Sequence, residues 1–185
     1  MDTLCAIFEE WYIGDGTYPL LKKGQKVNLS FYAELQEMYI HLTKDKYLRQ
    51  QKDMTYDFCG EVVYRHPMDD YGQTIIVVDT GRMMFYIECY DEDDMYTPGT
   101  YVAGRGNLLV DYYIWVENLD EYPNNPPDIF YNFEITGIRK VTVSEETQKE
   151  QVEEVEVMEH NNATLCYFLD LRFITDAVPR TFIEI

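Results

Sequence analysis

The dominant rhythm along this chain is period two, the mark of strands with one buried face. Val27, Leu29 and Phe31 alternate with Asn28, Ser30 and Tyr32 just after Lys23-Gly24, which predicts a half-buried strand. Tyr56, Phe58, Gly60, Val62 and Tyr64 share one face of a longer strand, and the glycine in its middle implies a bulge or a close backbone approach. Ile75-Ile-Val-Val78 is a continuous apolar run suited to a strand covered on both faces. The Asp79-Thr-Gly81 turn then leads into a strand lined by Met83, Phe85, Ile87 and Cys89. Tyr101–Ala103 and Leu108–Val116 read as two strands joined by a turn at Gly104-Arg-Gly-Asn107.

Beyond the stiff Pro123-Asn-Asn-Pro-Pro127 loop, three more strands are expected: Phe130–Val143, an acidic strand over Val152–Met158, and one carrying Leu165, Tyr167, Leu169, Leu171 and Phe173 on its inner face. His160-Asn-Asn162 suits a hairpin between the last two, and a short strand over Thr181–Ile185 closes the series. Residues 33–52 break the rhythm. They contain neither Gly nor Pro, and Leu35, Met38 and Leu42 recur at helical spacing, which predicts the one long helix. The expected fold is therefore mainly β: a small OB-like barrel, or an antiparallel meander or sandwich, with one helix near 33–52. The chain reads as a single domain over 1–185. A sub-boundary at 123–128 would separate a barrel-like part (1–122) from a C-terminal antiparallel meander (129–185).

Charge narrows the functional classes. The 185 residues carry 34 acidic and 15 basic side chains, a net charge of −19. Residues 1–55 hold seven basic and eight acidic groups, whereas 56–185 hold eight and 26. An anionic field of that kind repels phosphate backbones and anionic membranes and attracts basic proteins. The expected partner is thus a basic protein, with no nucleic acid and no membrane, and the oligomeric state stays open. Cys5, Cys59, Cys89 and Cys166 are widely separated and embedded in apolar runs, the pattern of buried free thiols. The N-terminal MDTLCAIFEEWY lacks a basic leader region and no apolar stretch approaches a membrane span, so a cytoplasmic location is expected.

Catalytic signatures are sparse. Ser30 and Ser144 are the only serines and neither lies in a nucleophile elbow. Gly14-Asp-Gly16 and Gly104-Arg-Gly106 lack the rest of a phosphate loop. His41, His66 and His160 have no metal-ligand spacing, and Asp91-Glu-Asp-Asp94 fails the calcium-loop pattern, with Tyr96 where a glycine is needed. No metal and no cofactor are expected. The enzyme reading that survives is a carboxylate-based, glycosidase-like hydrolase using Glu88 and Asp111, two acids within otherwise apolar strands.

One pattern recurs three times: paired acids, then Tyr, then Gly or Pro. It occurs at Asp69-Asp70-Tyr71-Gly72, at Asp91-Glu92-Asp93-Asp94 with Tyr96 and Pro98, and at Asp120-Glu121-Tyr122-Pro123. Counting strand directions, with a turn at 104–107, brings all three loops to one rim of the sheet. Carboxylates there would steer a basic partner, and Tyr rings would supply contact area at low entropic cost. In physical type this resembles the bacterial immunity proteins of secreted toxin systems, small acidic proteins that inhibit a basic toxin or nuclease by stoichiometric blockade. A self-associating structural β protein is the remaining alternative.

Overall fold

The computed structural model describes residues 3–52, 54–68, 72–111, 115, 125–144 and 148–181. The chain is mostly β, 59% strand and 3% helix. It divides into two units: a barrel unit of residues 30–109 with Trp115 and 125–129, and a sheet unit of 3–29, 110–111 and 130–181.

In the barrel unit, β3 (Phe31–Ile40), β4 (Tyr47–Lys52), β5 (Thr55–Pro67), β6 (Gln73–Asp79), β7 (Met84–Tyr90) and β8 (Tyr101–Val110) follow in chain order. β5, β6 and β7 form an antiparallel meander. β7 runs parallel to β3, with Tyr32 opposite Tyr86, β3 pairs with β8, and β8 returns antiparallel to β5. The ring is a closed five-stranded barrel, as expected for a small OB-like fold. β4 lies outside the ring and, among the described strands, pairs only with β5.

The barrel closes because β5 bends and β3 packs very near its neighbour. A Cβ on Gly60 would lie 2.5 Å from the Asp79 carbonyl oxygen, so this position requires glycine, and the β5–β6 register slips two residues later. A Cβ on Gly104 would meet Glu37 O at 2.5 Å, and one on Gly106 would meet Glu34 O at 2.6 Å. Ile76, Val78, Phe85 and Ile87 share one face of the β6–β7 pair, Phe58 meets Phe85 edge-on at 5.5 Å, and Ile75 and Val77 are buried on the opposite face, all with 1% exposure or less. Trp115 is fully buried, stacked on Tyr86 at 5.7 Å and edge-on to Tyr64 at 6.0 Å.

Two expectations are corrected here. Residues 33–52 form no helix: Phe31–Ile40 and Tyr47–Lys52 are strands β3 and β4. Helix-forming Leu35, Gln36, Glu37 and Met38 contribute only tenths of a kcal/mol each, about 0–0.7 per residue, which barrel pairing outweighs. Nor is Gly104–Asn107 a turn, since β8 runs through it as one strand. Its glycines admit the β3 backbone rather than reverse the chain.

The sheet unit contains β1 (Thr3–Glu9), a single helical turn α1 (Trp11–Gly14), β2 (Lys26–Leu29), β9 (Tyr131–Val143), β10 (Glu150–Glu154) and β11 (Thr164–Phe173). β11 lies between β1 and β9, antiparallel to both. The opposite edge of β9 takes β2 along Tyr131–Glu134 and β10 along Arg139–Val143. β10 and β11 therefore flank β9 and form no hairpin with each other. The inward stripe of β11 holds at Tyr167, Leu169 and Leu171, each 0% exposed, while Leu165 projects into solvent beyond a register shift. In β9 the buried positions run Phe133, Ile135, Ile138, Val141, and the bulge at Thr136 resets the period between Ile135 and Ile138. Phe8 anchors the N-terminal turn, with Tyr12 and Tyr18 each edge-on at 5.2 Å. Their hydroxyls donate to the Val110 and Asp111 carbonyls at 3.2 and 2.5 Å.

No helix among the described residues is long and apolar enough to cross a membrane.

Candidate functional site

The end of the barrel where β7 gives way to β8 is built around one carboxylate. Asp91 is 3% exposed, and its side chain accepts the backbone N–H groups of Met95 at 2.6 Å and Tyr96 at 3.2 Å. Arg65 of β5 donates through Nε to the same carboxylate at 3.0 Å and through Nη2 to Asp94. The loop is further tied to its neighbour: Asp91 N donates to Gly72 O at 2.8 Å, and a Cβ on Gly72 would press on Glu92. A left-handed Asp94 (φ 52°) completes the turn.

This anchoring turns the rest of the loop outward. Glu92 and Asp93 are exposed, beside Tyr90 at 73% and Met95 at 47%, with Tyr96 half-buried. Of the five residues expected here, Asp91 is the internal anchor, Asp94 faces Arg65, and Glu92, Asp93 and Tyr96 line the rim. Asp69, Asp70 and Tyr71 lie outside the described residues, as do Asp120, Glu121 and Tyr122. Gly72 and Met68, which flank the first of these triplets, sit at the same end as the 91–96 loop: Met68 N donates to Gln73 O, and Gln73 pairs with Tyr90. The third triplet follows β8, which runs antiparallel to β5 without the turn at 104–107, so the strand count that brought all three to one rim does not hold.

Glu88 is an exposed residue near the end of β7, on the same face as buried Tyr86, and partial desolvation lifts its carboxyl above the ordinary value. Asp111 is 0% exposed in the sheet unit, where its backbone carbonyl receives the Tyr18 hydroxyl. Neither unit by itself contains both acids.

Glu61 and Asp79 are a second pair of carboxylates within the barrel unit, directly opposite each other on β5 and β6. Lys46 Nζ bridges them at 2.8 Å each, and the Tyr101 hydroxyl donates to Glu61 at 3.1 Å. Hydrogen bonds from Lys46 and Tyr101 hold Glu61 below the usual carboxylate range. At Asp79 burial pushes upward, but Lys46 and the Gly81 N–H outweigh it and the net direction is down. The paired acids hold the Lys46 ammonium well above its ordinary value. Both carboxylates are thus kept ionised and neither is suited to general-acid work at neutral pH.

In the sheet unit, Glu10 is 8% exposed and receives His160 Nδ1 at 2.6 Å and the Asn161 N–H at 3.0 Å, fastening the 160–162 loop to α1. Arg139 joins Asp170 at 3.0 Å and Cys5 Sγ at 3.1 Å. Desolvation pushes Cys5 up to about 12 and Cys89 and Cys166 up to about 11, so these groups are thiols at neutral pH rather than nucleophilic thiolates. Among the described residues, no three His, Cys, Asp or Glu side chains are grouped so as to hold a metal ion.

Sequence reasoning missed the Lys46–Glu61–Asp79 bridge and the Arg65 anchor. Both depend on cross-strand register, and in the sequence Asp79 reads only as the first residue of a turn, with nothing to join it to Glu61. No protein-family model, curated protein or solved structure matches this chain.

Proposed function

We propose that this chain is an acidic protein-binding, inhibitory domain, of the type of a bacterial immunity protein, that neutralises a basic toxin or nuclease by covering it one to one. The reading rests on the rim of the barrel unit, where exposed Glu92 and Asp93 stand beside exposed Tyr90 and Met95 on a loop held from below by Asp91. A pre-organised loop loses little entropy on binding, its acids steer a cationic surface, and its apolar neighbours supply contact area. Supply of cations elsewhere does not cancel this charge. Among the described residues eight Lys and Arg side chains are occupied in ion pairs within the fold, including Arg65. Glu92 and Asp93 form none with a described residue.

Affinity capture on the immobilised chain tests the reading. A basic protein should be retained at about 50 mM salt and released at about 500 mM, as expected of an interface dominated by charge. Glu92→Lys with Asp93→Lys should abolish retention while leaving the fold intact. Retention of only neutral or acidic proteins, or retention unaffected by that double substitution, would overturn it.

A further inference from the structure

Among the described residues three strands have one strand neighbour each, and one of them, β2, pairs only with β9 and is bridged again at Asn28 to Arg180. Of the other two, β10 pairs only with β9, and β4 pairs only with β5. The bonds Ser144 N to Lys149 O and Val155 N to Ile138 O fix which residues of β10 face β9: 149, 151, 153 and 155. The backbone groups of Glu150, Val152 and Glu154 therefore face the open edge. An edge of this kind is a template for another strand unless its charge forbids pairing.

The charges of the two edges are opposite. β10 reads Glu-Gln-Val-Glu-Glu, has no cation, and exposes all five side chains. Glu150, Glu153 and Glu154 form no ion pair among the described residues, and Lys140, opposite Glu153, is engaged by Glu159. β4 reads Tyr-Leu-Arg-Gln-Gln-Lys and has no acid. Its exposed Arg49 and Lys52, and Lys44 just before it, form no ion pair with a described residue, and the Arg49 guanidinium lies over the Tyr47 ring at 4.4 Å. Asp45, the nearest preceding acid, accepts the Thr43 hydroxyl instead. In a chain with more than twice as many acids as bases, a cationic edge strand stands against the composition.

We infer that β10 of one molecule adds to β4 of a second copy, head to tail, through main-chain pairing selected by charge. Pairing of β10 with β10 sets glutamates against glutamates, and pairing of β4 with β4 sets cations against cations. Only the mixed pair is complementary, over five residues on one side and six on the other. Such a contact is heterologous, so assembly continues past the dimer, either closing into a ring or extending as an open chain. This surface is separate from the 91–96 rim and does not depend on the partner proposed for it.

Sedimentation and light scattering of the full chain over a concentration series provide the test. The expected result is growth beyond the dimer as concentration rises. Glu150→Lys with Glu153→Lys should weaken association roughly tenfold or more, because like-charge juxtaposition replaces attraction, and Arg49→Glu with Lys52→Glu should do the same. Mixing the two variants should restore association, since each then offers an edge the other complements. Thermal melting confirms that the exposed substitutions leave the fold unchanged. A strict monomer at all concentrations, variants that associate like the wild type, or a mixture that stays monomeric would each overturn the inference. So would cross-links joining β10 to β10.

Discussion

On the rim of the barrel unit, Asp91 is buried beneath its own loop, bound by two backbone N–H groups and Arg65, while Glu92 and Asp93 project from the platform it makes. On the outer strand of the sheet unit, Glu150, Glu153 and Glu154 are exposed, and none of them forms an ion pair among the described residues. The two segments have similar composition and opposite internal roles. A carboxylate that satisfies backbone donors organises its surroundings, and only its neighbours are free to meet a partner. A carboxylate on an unpaired edge shapes nothing locally, and all of its charge is directed at whatever approaches. Acid content is therefore a poor guide to available anionic surface. The rim is suited to a preformed contact, and the edge to selecting which strand can add.

Substitutions can separate these roles. The largest effect is expected at Asp91: Asp91→Ala leaves Arg65 and two loop N–H groups without their shared acceptor and should cost about 3–5 kcal/mol in urea unfolding. The comparison fails if that loss is no greater than for Glu92→Gln. Lys46→Met should cost about 1–2 kcal/mol, reduced because Lys46, Glu61 and Asp79 are each about a third exposed. Its pH dependence carries a sign. Glu61 and Asp79 are held below their ordinary values, so their contribution is complete above the unfolded carboxylate range, about pH 4, and is lost as pH falls through the folded values. Lys46 is held up, so its contribution is complete below about pH 10 and is lost at higher pH. Melting temperature against pH should show both losses in the wild type and shallower ones in Lys46→Met.

Asp94→Asn should cost less, within about 1 kcal/mol, because the side chain of Asp94 is 74% exposed where it meets Arg65. The smallest effect is expected on the edge: Glu150→Gln, Glu153→Gln and Glu154→Gln together should change unfolding free energy by no more than about 0.5 kcal/mol. A large loss there would mean that β10 holds the fold in a way its exposure does not suggest.

Much of the barrel was legible in advance where side chains alternate. β5, β6 and β7 follow the runs at Tyr56–Tyr64, Ile75–Val78 and Met83–Cys89, and Gly60 marks the close approach that its place in a strand implied. Of the candidate site, the sequence indicated that Glu92, Asp93 and Tyr96 lie in a loop after a strand, which is where they are found. The burial of Asp91 did not, because nothing local distinguishes it from the three acids that follow. The failures at 33–52 and 104–107 share a cause. Each segment's conformation is decided by the other, since β3 lies close against β8 only because Gly104 and Gly106 have no side chains.

By itself the sequence determined the β character, the anionic excess and its place in the last two-thirds of the chain, because periodicity and charge are local and additive. Tertiary structure alone decided which acids are spent inside the fold, which strand edges stay open, and that a helix-forming segment becomes two strands. Those outcomes depend on register between residues far apart in the chain, and pairing energy summed over a closed barrel exceeds the small preferences that any short stretch carries.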